Sequence, residues 1–145
     1  MSDVNVRAIE KLAVVGHIES QVITAMQYSD VIDFSKFYQL LGIANLGAVN
    51  AGDQIVFAAF ECDGSGNNAS MLGAVTWAGT SGNQNTQIKL GVRAEDLTNA
   101  TYQHMKFGLS CGTTGGAAGA TILGVDGKYG PENAYDLASV TSLQV

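Results

Sequence analysis

Charge is scarce in this chain. Charged residues make up 14% of the sequence, against 46% hydrophobic, and there is one proline with two cysteines and two histidines. So little charge among so many aliphatic residues excludes a disordered chain. Two cysteines make no disulfide framework. Two histidines leave little from which to build a metal site. Seven basic residues against 13 acidic ones, a net charge of −6, cannot form the cationic surface that nucleic-acid backbones require. No apolar run approaches the roughly 20 residues that span a bilayer, so no membrane partner is expected. Met1-Ser2-Asp3 is acidic, and the apolar stretch Leu12 to Val15 is too short for a signal peptide. The expectation is synthesis in a cytosol and a soluble product. The glycosylation patterns at Asn68-Ala69-Ser70 and Asn99-Ala100-Thr101 are then chance matches.

What is present is the material of one domain, 145 residues long. Eighteen glycines, with Ala, Ser, Thr and Asn between short apolar runs, predict an all-β protein with many turns. The stretch Phe37 to Cys62 sets the pattern: FYQLLGIANLGAV, a turn at Asn50-Ala51-Gly52-Asp53, then IVFAAFEC. Both runs read as central strands. Leu40, Ala44, Leu46 and Ala48 share one face of the first, and Leu41, Ile43 and Val49 the other. In the second, Val56, Ala58, Phe60 and Cys62 oppose Ile55, Phe57 and Ala59. Strands apolar on both faces are usually covered on both. In so small a domain the second cover is expected to be another subunit.

Residues 1–20 read as an N-terminal arm and 21–145 as the β-sandwich domain. The arm is dense in charge (Asp3, Arg7, Glu10, Lys11, Glu19), and Ser2-Asp3 is placed to cap a short helix through Glu10 or Leu12. It leads into a first strand near His17 to Met26, and a plain first strand with a frayed terminus is the competing reading. Val6, Ile9, Leu12, Val14 and Val15 are its apolar anchors, expected to touch a neighbouring subunit or a capsid. An edge strand at Asp30 to Ile32 precedes a turn at Asp33-Phe34-Ser35-Lys36, and Asp63 to Asn68 forms a second turn. Met71 to Ala78 is a weaker strand. Gln87 to Arg93 alternates cleanly, with Ile88, Leu90 and Val92 inward. In Tyr102 to Cys111, Met105, Phe107, Leu109 and Cys111 point inward. Gly112 to Gly119 reads as a loop, Ala120 to Val125 as a strand, and Ala138 to Val145 as a last one after the break at Pro131. Seven to nine strands so spaced predict a β-sandwich of jelly-roll type.

No reaction is announced. His17 and Glu19 share a strand face, but a metal site needs a third ligand. His104 shares its face with Lys106, a poor metal environment. Cys62 and Cys111 lack a base and an orienting partner in sequence, and read as small buried thiols. A disulfide between them is disfavoured in a reducing cytosol. Cys111-Gly112-Thr113-Thr114-Gly115-Gly116 lacks the lysine and helix of a phosphate loop. Asp63-Gly64-Ser65-Gly66 lacks the alternating acids of a calcium loop. Glu95-Asp96, and Asp30 with Asp33, sit in turns. The expectation is no catalytic residue, no metal, no cofactor and no enzymatic activity.

The succession VIDFSKFYQLLGIANLGAV, IVFAAFECDGSG, IKLGVRAEDLTNATYQHMKFGLSC and ATILGVDGKYGP resembles small proteins encoded among the virion structural genes of tailed bacteriophages. The shared pattern is a short Ile-Asp strand, a hydrophobic strand ending in glycine, and a strand entering an Asp-Gly-Ser turn. A later pair of strands carries Arg93 and Tyr102. The resemblance covers about residues 28–131, leaves out the arm and brings no catalytic residues. It implies a β-sandwich capsid decoration, or cement, protein. Such a protein would be a homotrimer bound to the major capsid protein on the virion surface, after synthesis in the host cytoplasm. The alternatives are another virion component, in the tail or connector, and a carbohydrate-binding module stacking sugars on Trp77, Tyr102, Tyr129 and Tyr135.

Overall fold

A computed structural model describes residues 8–99, 101–128 and 135–141. After one helical turn, α1 (Ala8–Lys11), the chain is almost all strand: β1 (Leu12–Ile23), β2 (Gln27–Tyr28), β3 (Ile32–Asp33), β4 (Phe37–Val49), β5 (Gln54–Cys62), β6 (Ser70–Ala78), β7 (Gly82–Arg93), β8 (His104–Ser110) and β9 (Gly116–Gly127). The strands form two antiparallel sheets. The first has the order β1-β9-β4-β7; the second has β2-β8-β5-β6, with β3 also paired to β8. With β2 and β3 counted as one interrupted strand, the chain winds between the sheets as a jelly roll, the expected architecture. No helix among the described residues is long and apolar enough to cross a membrane.

The core lies between the sheets. Leu40, Ala44, Leu46, Ile88, Val92, Ala120 and Ile122 enter from the first sheet; Ile55, Phe57, Ala59, Met105, Phe107 and Leu109 enter from the second. Gly42 on β4 is the close-approach point. A Cβ there would lie 2.7 Å from Phe57 Cζ and 2.8 Å from Phe107 Cε2, so only hydrogen fits beneath the two rings. Those rings pack 5.6 Å apart at 37°. Asp33 caps the 3-10 turn Phe34–Lys36, its carboxylate accepting from the Ser35 N–H and hydroxyl. Asp63 likewise accepts from the N–H groups of Ser65 and Asn67. Both turns match the sequence expectation.

β4 and β5 are central strands as expected, β4 between β9 and β7 and β5 between β8 and β6, and the turn that joins them crosses from one sheet to the other. Several sequence expectations need correction. A bulge between Leu46 and Ala48 reverses the alternation, so Val49 is buried and Ala48 exposed. The start of the expected Gly112-to-Gly119 loop is a turn, but β9 begins at Gly116. Its small residues let the strand run against Val49, whose Cγ1 would lie 2.6 Å from a Cβ at Gly116. The first strand starts at Leu12 rather than near His17, so residues 12–20, assigned to the arm, form part of an edge strand bonded to β9. The short edge strand sits at Ile32–Asp33 instead of Asp30 to Ile32. Residues 138–141 are turn and coil rather than the start of a last strand, and residues 142–145 lie outside the described residues.

Candidate interaction surfaces

The outer face of the first sheet carries an apolar centre that period-two patterning builds strand by strand. Register places Leu12 beside Val125 and Gln39, and Val14 beside Leu123 and Leu41. His17 lies beside Thr121 and Ile43. Leu12 is exposed, while Val14, Leu41, Ile43, Leu123 and Val125 are half-buried. Polar and cationic residues rim this centre: Gln39, Asn45, Gln87, Lys89 and Arg93, the last three from β7. The Gln87 amide donates to Asn45 Oδ1 at 2.7 Å, and Arg93 pairs with Glu95 at 3.2 Å. The apolar centre comes from three strands, β1, β4 and β9, and β7 adds to the rim; the sequence signals were the doubly apolar pattern of β4 and the apolar run that opens β1.

The five expected anchors separate. Leu12 and Val14 lie on this outer face, while Val15, 7% exposed, belongs to the core. Its side chain is therefore not available to a partner. Ile9 is half-buried in α1, and Val6 lies outside the described residues. The Val14 backbone is tied down from outside the sheet. Its N–H donates to Asp136 Oδ1 and its carbonyl accepts from the Leu137 N–H, both at 2.8 Å.

The outer face of the second sheet is covered locally by its own side chains. Tyr28 packs edge-on against Phe60 at 5.6 Å, and Lys106 Nζ sits 4.1 Å from the centre of the Tyr28 ring while donating to the Gly66 carbonyl. Beneath this cover, Ala58 and Cys62 are fully buried. Part of the two-sided apolar pattern in β5 is thus satisfied within the chain.

The candidate chemical groups are placed as follows. His17 Nδ1 lies 3.1 Å from Asp30 Oδ2, so its partner is Asp30 rather than Glu19. Among the described residues no three His, Cys, Asp or Glu side chains are grouped to hold a metal. Pairing does create one juxtaposition invisible in sequence: Asp33, His104 and Cys62 lie in a row across β3, β8 and β5. It is not an assembled nucleophile. No hydrogen bond joins Cys62 to His104 among the described residues. The thiol is fully buried, and burial pushes its pKa up, with Lys106 opposing and Asp63 adding. Cys111 is raised by burial and by Asp53. Both cysteines are free, at opposite ends of β8.

One functional-looking residue escaped the sequence reading. Glu61 is 2% exposed. It accepts from the Thr98 N–H at 2.8 Å, the Asn99 N–H at 3.2 Å and the Thr98 hydroxyl. Burial pushes its pKa up, but the Thr98 hydroxyl and the two N–H groups pull it below the ordinary value of 4.5. Its position in β5 shares the inward parity of Ile55, Phe57 and Ala59, which was the available signal. It fastens the crossover loop before β8 and reaches no open site.

The aromatic residues do not form one groove. Trp77 pairs with Ile55 at one end of β5, whereas Tyr102 precedes β8 beyond the Cys62 end. Tyr135 packs edge-on against Phe37 at 5.5 Å, and Tyr129 lies outside the described residues.

No family model matches the chain, and no curated protein does. One solved structure, of Bacillus endospore appendages described as a novel family of disulfide-linked pili, aligns with 86% of this chain and 99% of that chain at 11% identity. The TM-score of that alignment is 0.41.

Proposed function

We propose that this chain is a structural protein of a bacteriophage virion that decorates and stabilises the capsid, with the outer face of the first sheet as its docking surface. The observation that carries the reading is the half-buried apolar centre of Val14, Leu41, Ile43, Leu123 and Val125 inside a polar rim. Protein–protein interfaces share that organisation of an apolar core and a wet edge. The sequence resemblance points to the same kind of protein, and the partner it names is the major capsid protein. Under this reading the protein works by adding contacts across the shell, without a cofactor and without catalysis.

The test is binding of the purified protein to capsids. Leu41→Asp and Leu123→Asp place carboxylates at the centre of the face, at positions already partly open to solvent. Both variants are expected to fold, as read by circular dichroism, and to lose capsid binding by at least tenfold. Unchanged binding by both would overturn the assignment of this face. Failure of the wild-type protein to bind capsids at all would overturn the function.

A further inference from the structure

We propose that the free edge of β6 pairs with the β6 edge of a second copy, antiparallel about a two-fold axis at Val75. Among the described residues β6 ends the second sheet, with β5 as its sole strand partner. Among the described residues no loop bonds to its free side, in contrast to β1, which the segment at Asp136 and Leu137 covers. Natural edge strands are guarded by lysine, proline, inward charge or bulges. The β6 sequence SMLGAVTWA contains no charged residue and no proline. Its one irregularity, between the pairs Ala59–Gly73 and Phe60–Met71, leaves Gly73 to Ala78 as regular strand. Large apolar side chains stand exposed at both ends, Met71 at 53% and Trp77 at 40%.

The groups left open along this edge are backbone N–H and C=O, so the occupant they fit is another strand. The pattern of β6 selects its own copy. Gly73, Val75 and Trp77 share one face, opposite Ala59, Phe57 and Ile55. A Cβ at Gly73 would meet nothing within 4 Å, so that position is open. The Trp77 indole is held at the edge by a 3.2 Å hydrogen bond to Gln84 Oε1. Antiparallel pairing about Val75 sets Trp77 of each copy opposite Gly73 of the other, and Ala74 opposite Thr76. Val75 then faces itself. A bare edge glycine under a cross-strand aromatic ring is a favourable pair. On a chain with net charge −6, this uncharged strand also brings no like charges together. The interface is isologous and closes as a dimer, in place of the trimer that the sequence resemblance implies.

The test combines light scattering with cysteine cross-linking on the full chain. The wild-type protein is expected to be dimeric at micromolar concentration. Val75→Cys is expected to give a covalent dimer on mild oxidation, because directly opposed residues fall within disulfide reach. Ser81→Cys, beyond the end of the strand, is the control and should cross-link at least tenfold more slowly. Trp77→Ala should raise the dimer dissociation constant about tenfold or more. Ala74→Lys, at an exposed position that leaves the subunit folded, should give a monomer. A wild-type monomer at all accessible concentrations would overturn the proposal. So would an oligomer that survives Ala74→Lys, or one in which Val75→Cys cross-links no faster than Ser81→Cys.

Discussion

Replacing Glu61 by alanine tests whether a buried carboxylate fastens the crossover to β8. The substitution removes the acceptor for two backbone N–H groups and one hydroxyl, at a site 2% exposed. Each buried donor left without a partner costs about 1–3 kcal/mol. Partial relaxation of the loop at Thr98 and Asn99 lets some of these donors reach water, so the expected loss is about 3–5 kcal/mol. In a domain of this size that lowers the melting temperature by roughly 10 °C. The pH dependence has a definite sign. The folded-state pKa of Glu61 is depressed below 4.5, so its contribution is complete above that pH and is lost as pH falls through the folded value. The deficit of Glu61→Ala relative to wild type should therefore shrink in acid. Urea unfolding followed by circular dichroism, at pH 7 and again near pH 3, measures both quantities. A deficit below about 1 kcal/mol at pH 7 would refute the fastening role. A full deficit unchanged in acid would refute its ionic part.

Three further outcomes are expected. Gly42→Ala should destabilise by about 1–3 kcal/mol in urea unfolding, because its Cβ meets the Phe57 and Phe107 rings at 2.7–2.9 Å; a neutral effect would mean that the rings yield. Cys62 and Cys111, both fully buried with burial-raised pKa values, should react with a thiol reagent only as the chain opens, and together in denaturant. Rapid stoichiometric labelling of the native protein would contradict this. Deleting residues 2–13 should lower the melting temperature, since it strips Leu12 and the fully buried Ala13 from their pairing with β9. A truncated protein with an unchanged melting curve would restore the reading of that segment as a detachable arm.

The parts of the fold legible in sequence are those where period two runs unbroken. Met105, Phe107, Leu109 and Cys111 alternate without interruption, and all are fully buried as expected. Ile88 and Val92 behave alike in β7. The alternation misleads where a bulge intervenes, as between Leu46 and Ala48, because one extra residue exchanges the faces of everything beyond it. Glycine misleads at Gly116 to Gly119, where it marks close packing inside a strand as well as a turn before it. The outer-face centre was partly legible: Leu41 and Ile43 stood out in β4, and Leu12 and Val14 as apolar anchors, but Leu123 and Val125, which join them, come from a strand whose pairing no local pattern specifies. The row of Asp33, His104 and Cys62 was hidden for the same reason, since strand order brings together residues up to 71 positions apart only once the sheet is built.

The most direct test of the proposed virion role is to ask whether the source genome of this chain yields phage particles and, if it does, to take a quantitative mass-spectrometric inventory of them once purified. The chain is expected in every particle, at a fixed ratio to the major capsid protein that reflects a repeating position on the shell. Complete and infectious particles in which its peptides are absent would rule out the proposed role.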